Sequence, residues 1–243
     1  MSPLDNLTIT HCLLTDSDLT HLSQCPRISQ LKGLDLSGIT LADFSPELLQ
    51  VLLERVADTL QVLDLNQCEI MDSQIEAILP ALSHCSQLRS ISMCGNLLSM
   101  AAMEKLLRHT SGLPRLSQEF YPAPLESNSS QAVLLEERLA QLRAELMEIL
   151  RDLGHPRTIW LNSIFFASYD YDKYSHLEII EYIPASLGAP IKSFLLGTWK
   201  LKSMSQVHHK GKPDPWFQTS ARVNEKRKSE PVKVQKENVD LES

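Results

Sequence analysis

The chain has 243 residues, of which 43% are apolar and 22% charged, and its formal net charge is −7 at pH 7. This apolar content by itself indicates neither disorder nor a membrane protein. No run of about 18 apolar residues occurs, and the amino terminus lacks a basic and apolar signal pattern, so we expect neither membrane insertion nor secretion.

Four copies of one apolar pattern run through the first hundred residues. The pattern is L-x-x-L-x-L-x-x-(N/C)-x-L, and the copies begin at Leu4, Leu31, Leu60 and Leu88, spaced 27, 29 and 28 residues apart. This period is typical of leucine-rich repeats, in which each unit is a short strand followed by a helix. Because each unit buries its apolar side only against the next one, we predict an α/β leucine-rich repeat solenoid over residues 1–155.

The ninth position of the pattern carries a polar or sulfur-containing residue in three copies, Cys12, Cys68 and Asn96. Such a side chain can turn inward and bond the backbone where the chain bends after the strand. Ile39 occupies this position in the second copy, so we expect that repeat to lack the polar partner.

Between the strands, apolar residues recur at steps of three and four and predict helices on the convex side. Ser45 followed by Pro46 is a typical helix start. Asp72 or Ser73 is expected to begin the next helix, and Ser99 the one after it.

Leu49, Leu52 and Leu53 form an L-x-x-L-L motif, the helical signature that docks into nuclear receptor grooves. The same leucines are the apolar face by which the second repeat helix would pack on the core. Burial of each contributes about 1.5–3 kcal/mol, so the packing interpretation is preferred.

A fifth, degraded copy begins at Leu113 and Leu116, with Gln118 at a position that should be apolar. We interpret it as the closing repeat. The one-sided leucine stripe of Gln131–Leu153, followed by Gly154, predicts a helix that caps the end of the solenoid.

Charge divides the chain into unequal parts. Residues 200–243 contain ten basic and six acidic residues, a balance of +4, so the first 199 residues carry −11. We predict a divergent aromatic segment of uncertain order at 156–199 and a disordered basic tail at 200–243. The acidic repeats argue against direct nucleic acid binding. The cluster Lys226 to Lys228 resembles a minimal nuclear import signal, although a solvated tail is the simpler interpretation.

The sequence offers little chemistry for catalysis, and we expect no enzyme, cofactor or metal. Five cysteines without C-x-x-C spacing predict reduced thiols, no disulfides and no structural zinc in an intracellular protein. His208 and His209 lie without metal-ligand neighbours at suitable spacing. Asp170 and Asp172 form a carboxylate pair only on a strand, where no base or nucleophile accompanies them.

The strand residues between the core leucines should form the concave face of the solenoid. Its predicted rows are Asn6, Gly33, Val62 and Ser90; Thr8, Asp35, Asp64 and Ser92; Thr10, Ser37, Asn66 and Cys94. The protein-binding candidates among them are Thr8, Asp35, Ser37, Asp64, Asn66 and Ser92. Two stacked carboxylates would favour a Lys or Arg of a partner, while an empty, solvated sheet remains the alternative.

Longer stretches of the chain resemble the C-terminal part of PRAME family proteins. The similar segments are LKGLDLSG at 31–38, SPELLQVLLERVADTLQ at 45–61, IMDSQIEAILPALSHCSQL at 70–88 and YPAPLES at 121–127. The resemblance covers residues 1–161, ends at TIWL, and includes loops as well as leucines.

The resemblance implies a leucine-rich repeat horseshoe that recognises substrates for a cullin-2 ubiquitin ligase. It also implies repression of transcription, with effects on proliferation, differentiation and apoptosis. Expected partners are therefore proteins, namely cullin-2 ligase components or transcriptional regulators. We expect a cytoplasmic protein, and nuclear location stays open through the lysine cluster.

Family members carry an N-terminal elongin-binding box, whereas this chain begins inside the repeats. We therefore expect that it does not assemble the ligase by itself. The alternative function is a truncated isoform that has no independent activity or sequesters the partners of full-length relatives.

Overall fold

The structure is a computed structural model that describes residues 4–128, 135–154, 156–162 and 177–183. Its strands are β1 (Asn6–Thr8), β2 (Gly33–Asp35), β3 (Val62–Asp64), β4 (Ser90–Ser92), β5 (Gln118–Pro122), β6 (Arg157–Asn162) and β7 (Leu177–Tyr182). Its α-helices are α1 (Asp16–Gln24), α2 (Pro46–Val56), α3 (Asp72–Ser83), α4 (Met100–Thr110) and α5 (Glu136–Leu153), and two 3₁₀ helices span Ile28–Gln30 and Leu125–Ser127. This is the mixed α/β architecture that the sequence predicts.

The strands form one sheet in chain order, from β1 to β7. Strands β1 to β6 are parallel, and β7 is antiparallel to β6. A helix joins each of the first four strands to the next, and α5 stands between β5 and β6. The chain therefore builds stacked strand–helix repeats.

The core lies between the sheet and the helices. Leucines in the strands and directly after them, such as Leu63 and Leu65, are fully buried in one cluster with the apolar faces of the helices. Leu49, Leu52 and Leu53 belong to this cluster and are at most 3% exposed. The L-x-x-L-L motif is thus a packing face, and the leucines are not available for a receptor groove.

In the third and fourth repeats, the side chain at the ninth position of the pattern turns inward and forms hydrogen bonds with the backbone after the strand, as predicted. Asn96 Oδ1 accepts from the backbone N–H groups of Cys68 (3.1 Å) and Ile70 (3.0 Å), and its Nδ2 donates to the carbonyls of Leu65 (2.7 Å) and Met93 (2.8 Å). Cys68 is buried as well, and its Sγ donates to the carbonyl of Leu36 at 3.1 Å.

The same prediction is wrong for Cys12, whose side chain is exposed. Cys12 follows β1, which pairs only with β2 in the sheet order. A residue at this position is enclosed by neighbouring repeats on both sides, and the described residues supply a repeat on one side alone.

Helix starts follow the predicted signals closely. Ser45 precedes α2 with Pro46 at its first position, and the Ser99 hydroxyl accepts from the Ala102 N–H at the start of α4. For α3 the N-cap is Met71, one residue before the predicted Asp72. Asp72 instead turns to the next repeat, where its Oδ1 accepts from the Ser99 N–H at 2.9 Å.

A row of left-handed residues marks the turn after each of the first four strands. His11 (φ 51°), Gly38 (φ 72°), Gln67 (φ 55°) and Gly95 (φ 72°) adopt this conformation at equivalent positions. A Cβ atom on Gly38 would lie 2.1 Å from His11 Nδ1, and one on Gly95 would lie 3.0 Å from Gln67 Cγ. Large and small residues therefore alternate along the row.

The register of the fifth repeat differs by three residues from the prediction. Gln118 pairs with Ser90 and Phe120 pairs with Ser92, so the core positions fall on Glu119 and Tyr121. Both side chains are buried. The leucine at 113 misled the sequence interpretation, because a charged residue occupies the place where the pattern expects an aliphatic one.

The fifth repeat does not close the array, and α5 is not a terminal cap. Strand β6 continues the sheet in parallel to β5, and β7 follows it. The sheet therefore includes two strands that follow residue 155, the predicted end of the repeat domain. Helix α5 ends as predicted, with Gly154 in the left-handed conformation (φ 74°). The predicted basic tail at 200–243 lies outside the described residues.

Candidate binding face

The face predicted to be concave, called the concave face below, is the side of the sheet whose side chains alternate with the core leucines. Pairing aligns Asn6, Gly33, Val62 and Ser90 in one row and Thr8, Asp35, Asp64 and Ser92 in the next. These are the rows that the sequence predicts. The second row continues through residues that the sequence analysis did not include, Phe120 and Trp160.

Hydrogen bonds connect the acidic part of this face into a ladder. Asp35 Oδ1 accepts from the N–H (3.0 Å) and the hydroxyl (2.6 Å) of Ser37. The same hydroxyl lies 2.8 Å from Asp64 Oδ1, which also accepts from the Asn66 N–H at 3.1 Å. One hydroxyl proton cannot serve both carboxylates at once, so the Ser37 hydroxyl donates to one of them at a time.

Asn66 extends the ladder into the fourth repeat. Its Oδ1 accepts from the Ser92 hydroxyl (2.7 Å) and the Cys94 N–H (2.6 Å). The Asn66 side chain is 2% exposed, and its Nδ2 has no hydrogen-bond partner among the described residues. A buried donor without an acceptor is destabilising by about 1–3 kcal/mol.

The six predicted site residues thus fall into two groups. Asp35, Ser37, Asp64, Asn66 and Ser92 are joined by the ladder, whereas Thr8 lies exposed on β1. The sequence treated these side chains as separate contacts for a partner. Their binding role stays a prediction.

The aromatic end of the face was missed. The rings of Phe120 and Trp160 stack with centroids 5.0 Å apart and planes 24° apart. Trp160 pairs with Ile179 of β7, which is 46% exposed. The β-branched and aromatic residues in the TIWL segment are typical of a strand and could have predicted β6. This signal was not used, because the fifth copy of the pattern was interpreted as the last repeat.

A buried ion pair lies on the opposite side of the same strands. Arg157 of β6 donates from Nε to Glu119 Oε1 (2.9 Å) and from Nη2 to Glu119 Oε2 (2.6 Å), and both side chains are at most 5% exposed. Tyr121 donates to the same carboxylate at 2.8 Å, and Arg157 Nη1 donates to the Leu107 carbonyl at 2.7 Å. This network joins β5, β6 and α4.

The pKa values in this network follow from burial and charge. Burial, reinforced by the Glu119 charge, raises the pKa of Tyr121 well above its usual value. Burial acts to lower the pKa of Arg157, but the hydrogen bonds and charge of Glu119 outweigh it and raise that pKa. The Arg157 guanidinium therefore stays positively charged. Glu119 and Arg157 both line an open cavity of about 470 Å³, next to Leu113, Leu116 and Tyr182.

Little in the described part of the chain points to catalysis. Within these ranges, no cluster of three or more His, Cys, Asp or Glu side chains is suited to hold a metal ion. The five cysteines are free thiols, and burial raises the pKa of Cys68 and Cys85 to about 12. The Asp170–Asp172 and His208–His209 pairs lie outside the described residues.

None of the described helices combines the length and the apolar character that a membrane span requires.

Comparisons with known proteins place these features in a family. The family described as the PRAME C-terminal domain matches residues 1–182. PRAME family member 12 of Homo sapiens is 58% identical over 177 residues, covering 70% of this chain and 37% of that protein. PRAME family member 8 of Homo sapiens is 62% identical over 156 residues, covering 64% of this chain and 33% of that protein. The chain thus spans about a third of the length of the curated relatives it matches.

A solved structure, the tropomodulin C-terminal domain of Caenorhabditis elegans, covers 69% of this chain and 77% of its own at 15% identity. Its TM-score of 0.36 is too low to support a structural argument.

The family match also corrects the extent of the resemblance. It continues 21 residues beyond Leu161 and ends at Tyr182, the last residue of β7. The resemblance was expected to end at Leu161. With 182 of its 243 residues matched, the chain belongs to the PRAME family.

Proposed function

We propose that the chain is a non-enzymatic protein-interaction module, a leucine-rich repeat solenoid that binds a partner protein on its concave face. The observation that carries the proposal is the alignment of polar side chains from successive strands in rows on that face. Repeat proteins bind their partners on such extended surfaces. Membership of the PRAME family supports a protein as the partner.

The finer role follows the family resemblance. We propose that the partner is either a protein presented to a cullin-2 ubiquitin ligase or a regulator of transcription, with effects on proliferation, differentiation and apoptosis. The proposed location is the cytoplasm, with nuclear entry through Lys226 to Lys228 as the alternative.

Affinity capture with a matched pair of variants tests the binding face. Ser90→Arg places a long charged side chain on the concave face, at a residue outside the ladder. Ser83→Arg makes the same change at an exposed position at the end of α3. We expect quantitative mass spectrometry of cell lysates to show partners that Ser90→Arg loses and Ser83→Arg retains.

Two outcomes separate the candidate roles. Elongin and cullin among the retained proteins would support the ligase role, and transcriptional regulators without them would support the second role. Equal capture by Ser90→Arg and the unchanged chain would contradict binding on the concave face. If the chain instead lowers the partner bound to a full-length relative in a competition experiment, sequestration is its role.

A further inference from the structure

Strand β7 leaves one edge of the sheet open. Within the described ranges it is the last strand in the order, and it pairs only with β6. The edge of a sheet presents backbone N–H and C=O groups that can pair with a further strand. Ile179 in the middle of β7 is 46% exposed, and Glu181 is exposed as well. Backbone groups and side chains are therefore both accessible at this edge.

We propose that an extended segment of a partner protein adds to this edge as a further antiparallel strand. The segment carries a Lys or Arg and, two positions later, a large aliphatic residue. The basic residue lies opposite Glu181, and the aliphatic residue lies opposite Ile179. The inference goes beyond the proposed function, because it uses the backbone edge of the sheet and not the polar rows of the concave face.

The hydrogen-bond pattern of the sheet determines which backbone groups of β7 point outward. The Ala123 N–H donates to the Asn162 carbonyl at 2.8 Å, so Asn162 directs its backbone groups to β5. Successive residues of a strand point to opposite edges. Leu161 therefore directs its groups to β7, where it pairs with Glu178. By the same alternation, the groups that remain for a new strand are those of Leu177, Ile179 and Glu181.

The side chains of these three residues lie on one face of the sheet, because their positions differ by two. On this face Ile179 pairs with Trp160, whose half-buried indole extends the apolar surface. Leu177 is half-buried on the other side of Ile179. An aliphatic side chain opposite Ile179 would cover apolar surface that water now contacts, and such cross-strand pairs stabilise a sheet.

Glu181 supplies the charge preference of the edge. Among the described residues, its carboxylate accepts one long hydrogen bond, from the Thr158 hydroxyl at 3.4 Å. Glu178 lies on the opposite face and is already paired with Arg143 of α5. A Lys or Arg opposite Glu181 forms an ion pair, whereas an acidic residue there is repelled. The edge therefore favours a basic segment.

Antiparallel pairing fixes the order of the residues in the partner. The added strand runs from Glu181 toward Leu177, so its basic residue comes first. A segment with the reversed order would place its basic side chain against Ile179. Antiparallel pairs are also slightly more stable per residue than parallel ones.

A synthetic peptide tests the inference with the full chain. The fluorescein-labelled, amidated probe contains Arg, Thr, Ile, Thr and Val in this order, flanked by serines. The control peptide has the same residues in reversed order. We expect fluorescence anisotropy to show about tenfold tighter binding of the probe. Hydrogen exchange followed by NMR should show new protection of the Ile179 and Glu181 amides when the probe binds.

Methylation of the peptide backbone separates strand addition from binding by side chains alone. In the proposed register, the N–H of the peptide Ile donates to the Ile179 carbonyl, and we expect its N-methylation to abolish binding. The N–H of the Thr that follows points away from β7, so its N-methylation should be tolerated. The two methylated peptides have the same composition and are matched controls for each other.

Variants assign the two side-chain contacts. Glu181→Lys should weaken the probe about tenfold, and a peptide with Glu in place of Arg should bind this variant better than the unchanged chain. Ile179→Thr keeps a β-branched residue and should weaken the probe about fivefold. Glu54→Lys and Val51→Thr make matching changes at exposed positions of α2 and should leave binding unchanged. Circular dichroism confirms that each variant is folded.

The inference is overturned if the full chain does not bind the probe, if both methylated peptides bind equally, or if the reversed peptide binds more tightly. Self-association in sedimentation equilibrium that Ile179→Thr abolishes would assign the edge to a second copy of the chain, and would overturn the inference as well. The proposed function fails separately. Ser90→Arg lies three strands from β7 and should leave binding of the probe unchanged.

Discussion

The middle repeats and the C-terminal strands hold the same backbone geometry by different means. Around β3 and β4, aliphatic side chains fill the core, and the amide of Asn96 bonds the bend after the strand. Around β5 and β6, a buried ion pair between Glu119 and Arg157 takes up core space. The repeats can thus be stabilised by neutral hydrogen-bonding groups or by a buried ion pair. Removal of one side chain should therefore reduce the stability of the two regions by different amounts.

Leu65→Asp should have the largest effect, because it places an unpaired charge in the fully buried core of the middle repeats. The penalty of several kcal/mol is comparable to a typical domain stability of about 5–15 kcal/mol. We expect the helical circular dichroism signal to be lost at 25 °C. Gln61→Ala, a half-buried position just before β3, should melt like the unchanged chain, and a normal melt of Leu65→Asp would refute the assigned register.

Arg157→Met should rank next, because it leaves the Glu119 carboxylate buried without its cation. Loss of one partner of a buried pair is destabilising by about 3–5 kcal/mol. Urea unfolding followed by circular dichroism measures the change. The double variant with Glu119→Leu should recover most of the loss, since apolar groups can replace a buried pair. A double variant as unstable as the single one would show that Arg157 acts through its bonds to α4 instead.

Asn96→Leu tests how much the hydrogen bonds of an uncharged side chain stabilise the middle repeats. It leaves two backbone N–H groups and two carbonyls without their side-chain partner, and we expect a loss of about 2–3 kcal/mol. Gln30→Leu, at an exposed position at the end of the first 3₁₀ helix, is the control and should change the midpoint of urea unfolding little. A loss for Asn96→Leu that exceeds that of Arg157→Met would reverse the comparison between the two regions.

The smallest effect is expected at the ninth position of the pattern, where two cysteines have different environments. Cys68→Ala removes a buried side chain and its hydrogen bond to the Leu36 carbonyl, and should be destabilising by about 1–2 kcal/mol. Cys12→Ala alters an exposed side chain, so its effect should stay within about 0.5 kcal/mol. Thermal melts of both variants provide the measurement, and equal losses would mean that Cys12 is buried in solution.

The sequence was sufficient where the apolar pattern is regular. A period of 27–29 residues aligns equivalent positions, and the strand alternation then assigns Asp35 and Asp64 to one row. It was insufficient in the fifth repeat, where Glu119 occupies a core position. There the pattern that begins at Leu113 predicts a strand register that differs by three residues from the observed one. The cation that neutralises Glu119 is 38 residues away in the chain, and no local pattern announces such a pair.

The candidate site shows the same limit. The sequence identified the polar rows, because they follow from counting along each strand. It did not reveal that the Ser37 hydroxyl lies between two carboxylates of different repeats. Nor did it reveal that the side-chain oxygen of Asn66 accepts hydrogen bonds from Ser92 and Cys94. These bonds depend on side-chain conformations across strands. The aromatic end of the face was not predicted, because β6, the strand that carries Trp160, was not predicted.

The alternation along the row of left-handed turns sets the unit in which this protein could be shortened or lengthened. Each large residue, His11 or Gln67, lies against a glycine of the following repeat, Gly38 or Gly95. Deletion of the second repeat alone would bring His11 against Gln67, two side chains in a space that holds one. Deletion of the second and third repeats together would bring His11 against Gly95 and keep the fit. Engineering of this scaffold, by removal or duplication, should therefore proceed two repeats at a time.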